Sequence, residues 1–380
     1  MKRHHFAFSM LIITLLSVNS FAQPMFTMSD LCPSTEIQPR PAKFTPGGVI
    51  ITAFDRNTLW ALDLDRGARY PIPGTRPCGG NCHLSPDARW LTLLDPVDGG
   101  FSKMRLNGTD WTPLSANATD VLWWNAETLM VWSPGHHAAL LDERSGNREP
   151  LPGAYGAISV QPGGRWALKL EHDGKRFQRV LVDTTRFGNY EGESTLLLGF
   201  EQPYYSAAAW SPDGAWVAYV SPIEGADGQL SAALFGVQPG STTPILWTDF
   251  SSTVGAMRIG GQTPSGGLSW SPDNTKVGFW ALPLNTPADS TVAMPYLYDV
   301  PTATLTRYCG FSTLEHTPNP PRLAWSPDST HLAFAANVEQ DGRGWLLLSL
   351  EVATGLYTEV SEGVYPALGK ADVVAWGLLE

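Results

Sequence analysis

The chain has 380 residues, more than the ~100–200 usual for one domain. Its formal net charge is −11 and its pI about 5.2. No basic run follows the first few residues, so a nucleic-acid partner is excluded, since phosphate binding needs clustered Lys and Arg. Charged residues make up only 16% and Trp reaches 15, which fits a Trp-rich, mostly β protein and neither a disordered chain nor a coiled coil.

The start, Met1-Lys2-Arg3-His4-His5, is basic and is followed by an apolar stretch over residues 6–18. Small residues at Ser20 and Ala22 then place a cleavage site after Ala22. Residues 1–22 therefore read as a secretory signal peptide. The alternative, an uncleaved anchor, is short of the ~20 apolar residues needed to cross a bilayer. No later segment has the composition of a span. Residues 23–46 read as an N-terminal extension.

The chain has four cysteines, Cys32, Cys78, Cys82 and Cys309, which allow three pairings in an oxidising compartment. Cys78 and Cys82 flank the flexible Gly79-Gly80-Asn81, so a local bridge is expected first and Cys32–Cys309 second. His83 follows Cys82, but three residues separate these cysteines where haem attachment has two.

From residue 47 onward one motif recurs. Trp-Ser-Pro-Asp stands intact at Trp210, Trp270 and Trp325. It is degraded at Leu84-Ser85-Pro86-Asp87, Trp124-Asn125-Ala126-Glu127 and Val160-Gln161-Pro162-Gly163, and Trp376 carries the last trace. Each intact copy ends a short apolar strand and opens a β-turn with Pro at its second position. Seven residues beyond each of the first six starts the residue is apolar: Leu91, Val131, Ala167, Val217, Val277 and Leu332. This alternation predicts a second strand with one face buried on a neighbouring repeat. Third strands and glycine-bearing turns follow, as at residues 101–107 with Asn107-Gly108 and 345–351 with Thr354-Gly355. Four antiparallel strands per repeat describe a propeller blade. Residues 49–54, 58–65 and 69–73 give three strands without a first, and residues 372–378 give a first strand without the rest. Joined, they complete one blade. The expectation is an all-β, seven-bladed β-propeller over residues 47–380, closed by the C-terminal strand; a six-bladed ring is the alternative if the degenerate repeat at Trp124 or Val160 is not a blade.

These motifs resemble the Trp-Ser-Pro-Asp-Gly signature of TolB-like and prolyl-oligopeptidase-type propellers, over residues 47–380. The resemblance implies the fold and carries little about activity. The α/β domain that precedes the propeller in TolB has no counterpart ahead of Gly47, and the Gly-x-Ser-x-Gly elbow of the peptidases does not occur.

Strand order puts the Ser-Pro-Asp turns on one rim and most long connections, including residues 222–229, 250–267, 281–295, 312–321 and 337–344, on the other. Loops on a rigid scaffold are where function gathers, so partner contacts are expected on the long-loop rim at Met257, Arg258, Glu315, His316 and Asp341. His136-His137 and Glu171-His172-Asp173 fall on the same rim, where they read as hairpin tips rather than a transition-metal site. Asp213, Asp273 and Asp328 are expected to set their own turns; calcium is disfavoured because the carboxylates occur singly. Asn107-Gly108-Thr109 and Asn117-Ala118-Thr119 match the glycosylation sequon, the first also being a tight-turn dipeptide. No catalytic, cofactor or metal motif is assigned. The expected function is a secreted or periplasmic, monomeric, non-catalytic propeller that binds a protein or cell-envelope partner; the alternative is a propeller-type hydrolase with an acidic or His-containing site at the central channel mouth.

Overall fold

In the computed structural model, the residues described are 26–33, 37–54, 58–76, 82–94, 100–115, 118–133, 137–151, 157–172, 177–184, 195–200, 207–225, 228–241, 243–260, 267–284, 292–314, 320–338, 344–361 and 371–379. Every regular element among them is a β-strand. β1 (Thr27–Leu31) and β2 (Gln38–Pro39) come first and start no blade. Blade 1 begins with β3 (Val49–Phe54), β4 (Trp60–Asp63) and β5 (Ala68–Pro71). Blade 2 is β6 (His83–Leu84), β7 (Trp90–Leu94), β8 (Phe101–Arg105) and β9 (Thr112–Ser115). Blade 3 is β10 (Asp120–Trp123), β11 (Thr128–Ser133), β12 (His137–Asp142) and β13 (Arg148–Pro150). Blade 4 is β14 (Ala157–Val160), β15 (Trp166–His172), β16 (Phe177–Asp183) and β17 (Thr195–Phe200). Blade 5 is β18 (Ala208–Trp210), β19 (Val217–Glu224), β20 (Leu230–Val237) and β21 (Ile245–Asp249). In blade 6 the innermost strand comes in two pieces, β22 (Met257–Ile259) and β23 (Ser269–Trp270), followed by β24 (Lys276–Pro283), β25 (Met294–Asp299) and β26 (Thr304–Tyr308). Blade 7 is β27 (Ala324–Trp325), β28 (His331–Asn337), β29 (Trp345–Glu351) and β30 (Tyr357–Glu359). The last strand, β31 (Ala371–Gly377), returns to blade 1.

β31 pairs antiparallel with β3, Ile50 opposite Trp376 and Val49 opposite Gly377. The head and tail of the chain thus share one sheet, in the order β31-β3-β4-β5. Blades 3 and 4 each form a complete four-stranded sheet, so the ring has seven blades and the six-bladed alternative falls. The inner strands touch in succession: β31 meets β6, β6 meets β10, β14 meets β18, and so on through β23 and β27 back to β31.

The burial pattern explains the closure. Successive residues of a second strand point to opposite faces. Val217 and Tyr219 pack with Leu168 and Leu181 of blade 4, while Ala218 and Val220 pack with Trp270 and Phe279 of blade 6. Both faces are therefore buried, and the expected apolar position seven residues past each motif faces the preceding blade. An equivalent cluster joins blade 7 to blade 1 through Ala333, Leu347, Ile50 and Trp376. Three motif tryptophans add a polar tie across these interfaces, while the buried indole N–H of Trp210 makes none. The indole of Trp270 donates to the Ala209 carbonyl (3.1 Å), and that of Trp325 to the Ser269 carbonyl (3.0 Å). Trp123 does the same to His83 (3.1 Å), and its pairing with Leu129 makes it the motif tryptophan of blade 3. The register read from Trp124 is corrected by one residue.

Blades 6 and 7 depart from the four-stranded expectation. β1 adds to β26 in parallel, Thr27 opposite Thr304 through Leu31 opposite Tyr308, and β2 adds to β30. The segment ahead of blade 1 is a strap that covers two outer sheet edges, whose backbone groups otherwise need solvent or another chain. Two side-chain links fasten it. Arg307 holds Asp30 through two bonds (3.0 and 2.7 Å), and Cys32 is disulfide-bonded to Cys309, with Cα atoms 4.8 Å apart. Cys82 is also disulfide-bonded, while Cys78 lies outside the described residues.

Candidate functional site at the channel mouth

The two rims differ in how their polar groups are used. On the short-turn rim each motif satisfies itself. The Ser211 hydroxyl donates to Asp213 (2.6 Å) and accepts the Trp216 N–H (3.0 Å), and Asp213 also accepts the Ala215 N–H (3.0 Å). Blades 6 and 7 repeat this with Ser271, Asp273 and Thr275, and with Ser326, Asp328 and Thr330. Partial burial pushes the Asp273 and Asp328 carboxyls up, but the hydroxyl and backbone donors outweigh it, and both sit below the usual carboxylate range. These oxygens set turns, as their sequence position suggested.

The turns are also tied to one another. The Asp213 N–H donates to Asn274 Oδ1 (2.9 Å) and the Asp273 N–H to Ser329 Oγ (3.0 Å). Gln161 Nε2 reaches the Gly214 carbonyl (2.9 Å), the Gly163 N–H reaches Trp124 (2.6 Å), and the Leu378 N–H reaches Ala88 (2.7 Å). This belt takes up donors and acceptors that a partner would need.

The long connections leave their sheets at the opposite rim, where β19, β24 and β28 end. Glu315, His316 and Asp341 lie outside the described residues, as do His136, Asp173 and the side chains of Glu171 and His172. His137 opens β12 and is exposed. Met257 and Arg258 are described, and their place is corrected from loop to strand: both are in β22, opposite Pro283 and Leu282. Met257 is only 5% exposed, packs in the core between blades 5 and 6, and gives its N–H to Ser231 Oγ (3.1 Å). Its side chain is a core group there. Arg258 is half-buried beside it.

Two side-chain pairs on the channel-lining strands were not expected. His83 Nε2 of β6 stands 3.5 Å from Asp120 Oδ1 of β10, linking blades 2 and 3. Arg322, just before β27, stands 3.6 Å from Asp372 of β31 and donates its N–H to the same carboxylate (3.4 Å), linking blades 7 and 1. The four side chains keep 26–43% exposure, although His83 Nε2 itself is buried and makes no hydrogen bond. Asp120 and Arg322 stand three residues before their motif tryptophans, where blades 4, 5 and 6 carry Ala157, Ala207 and Gly267. A charge among small residues at that offset was the available signal. An imidazole beside a carboxylate can hold and pass a proton, and an arginine beside a carboxylate can receive an anion or a polar backbone.

No family model and no curated protein matches the chain. Among solved structures it is similar to TolB from Acinetobacter baumannii, at 12% identity over 85% of this chain and 81% of that one, with a TM-score of 0.42. It is also similar to the periplasmic gluconolactonase PpgL of Pseudomonas aeruginosa, at 14% identity over 87% and 97%, with a TM-score of 0.48. A third is an oligogalacturonate lyase in complex with manganese, at 12% identity over 83% and 85%, with a TM-score of 0.48. TolB proteins thus stand among the structural neighbours, alongside propellers with enzyme names; at these scores the fold rests on the strand pairing above.

Proposed function

We propose that the protein is a secreted or periplasmic propeller that binds a protein or another cell-envelope component through its long-loop rim, without catalysis. The observation that carries this reading is the difference between the rims. The short-turn rim consumes its polar groups in a turn-to-turn belt. The other rim keeps Asp120, Arg322, Asp372 and Arg258 within reach of solvent, beside the long connections. The signal-like start and the Cys32–Cys309 bridge support an oxidising compartment. A local Cys78–Cys82 bridge belongs to the same proposal. Glu315, His316 and Asp341 stay part of the proposed surface by their sequence position.

Photo-crosslinking residues placed at Arg258, Asp120 and Arg322, and separately at Asn274 and Gly240, test the reading in an envelope fraction. Adducts are expected from the first set only. Adducts spread equally over both rims, or none from the first set, overturn it.

The His83–Asp120 pair favours one second reading, a hydrolase acting at the channel mouth with His83 as acid–base group. Under it, His83→Ala abolishes turnover of a lactone, glycoside or peptide substrate while the melting temperature is kept. Turnover insensitive to both His83→Ala and Asp120→Asn removes that reading.

A further inference from the structure

One place on the short-turn rim lacks the belt's self-satisfaction. In blades 5, 6 and 7 a Ser-Pro-Asp turn fills the space between the first and second strands. In blade 1 those strands are β31 and β3, which come from opposite ends of the chain and are joined by no turn. A cavity of about 300 Å³ opens there, lined by Gly48, Asp63, Asp65, Arg66, Leu378 and Leu379.

The polar lining of this cavity is unbalanced. Asp63 closes β4 and is fully buried. Its Oδ1 accepts the Arg66 N–H (2.9 Å) and so caps the turn. Its Oδ2 is equally buried and accepts no hydrogen bond. The nearest cation, Arg66 Nη1, is 3.6 Å away, beyond hydrogen-bond distance, on a side chain that is 71% exposed. Asp65 gives one oxygen to the Gly48 N–H (3.0 Å). A buried carboxylate oxygen without a donor costs free energy, and a charged donor offsets most of that cost.

We propose that this cavity binds a primary ammonium group carried on an apolar stem. The ammonium offers three donors, enough to reach Asp63 Oδ2 and Asp65 together. The stem lies against Leu378 and Leu379. A bare divalent cation fits less well. Calcium takes about six to eight oxygens, while one oxygen of each aspartate here is already committed to a backbone N–H. Two carboxylates also exclude an anion. Arg66, whose guanidinium stands 3.6 Å from Asp63 Oδ2, is the internal competitor for that oxygen.

Calorimetric titration with butylammonium and with the peptide Gly-Lys-Gly tests this on the full chain. Saturable binding of either probe is expected at up to about 10 mM, the range open to one ion-paired contact. Butylammonium alone marks a free amine as the ligand type, and binding of the peptide marks a lysine side chain. Asp63→Asn keeps the oxygen that caps Arg66 and should weaken binding at least about tenfold. Arg66→Ala removes the competitor and should tighten it several-fold, an outcome a purely structural role for Asp63 does not give. The proposal is overturned if neither probe binds the wild type or Arg66→Ala, or if a folded Asp63→Asn binds as well as the wild type.

Discussion

Ala88 holds a left-handed backbone, φ 59°, at the turn position that is Gly214 in blade 5, Asn274 in blade 6 and Ser329 in blade 7. Only glycine adopts that conformation without steric cost. Ala88→Gly should therefore raise stability by about 0.5–1 kcal/mol, seen as a higher denaturation midpoint. Ser329→Gly relieves the same strain but removes the hydroxyl that accepts the Asp273 N–H, so no net gain is expected. Equal gains at both sites would show that the belt bond is worth nothing. His331 offers a second residue-scale case. Its ring is buried between Phe44 (5.7 Å between centroids) and Trp376 (6.3 Å). Burial holds its pKa below the usual imidazole value, against the opposing pull of Glu351 and Asp328. The unfolded chain therefore takes up the proton first as pH falls, and stability drops from near the ordinary value of about 6.5 down through the folded value. His331→Phe should flatten that part of the stability–pH curve. The depressed Asp273 and Asp328 carboxyls act lower, their contribution fading as pH falls below the ordinary carboxylate range. A wild-type curve flat between pH 7 and 5 contradicts the His331 account.

Among the elements, the strap is held by backbone pairing along two outer edges and by one covalent link. β1 carries Thr27-Met28-Ser29-Asp30-Leu31, with no face deeply buried. Its pairing with β26 is stabilised by the Asp30–Arg307 pair and the Cys32–Cys309 bridge. That bridge spans 277 residues of sequence, so its loss frees a long loop in the unfolded chain. Cys32→Ser with Cys309→Ser should cost about 2–5 kcal/mol. Hydrogen exchange should show the loss first along β26 and β1, while the β18–β19 pairing stays protected. Uniform loss over all blades would mean that the strap stabilises the whole ring rather than two edges. The strap was not legible in sequence for a physical reason: a five-residue parallel edge strand with mixed exposure has no period to detect. The motif strands were legible because the Ser-Pro-Asp turn demands particular residue types at fixed offsets. Where two tryptophans stand side by side, at Trp123 and Trp124, the offset alone could not choose between them, and the shorter turn of blade 3 decided it.

The whole ring depends on one junction. Removing residues 371–380 takes β31 from β3, opens the edge of blade 1 and strips Val373 and Trp376 from the core shared with blade 7. Soluble yield should fall sharply, because an unpaired apolar sheet edge invites association. A truncated chain that melts like the full one would refute closure as a source of stability. The channel-mouth pairs belong to this scale too. His83 and Asp120, like Arg322 and Asp372, come from different repeats, and only the curvature of the ring brings them together. A reading that proceeds repeat by repeat registers each as a lone charge, which is why the blade count was visible in sequence and the site was not.

The route of the strap also governs how the molecule bears tension. It starts on blade 6, crosses blade 7 and only then enters blade 1, with a covalent rivet between residues 32 and 309. A pull on the leading end is therefore taken up by blade 6 at the rivet, whereas a pull on the trailing end loads β31 directly.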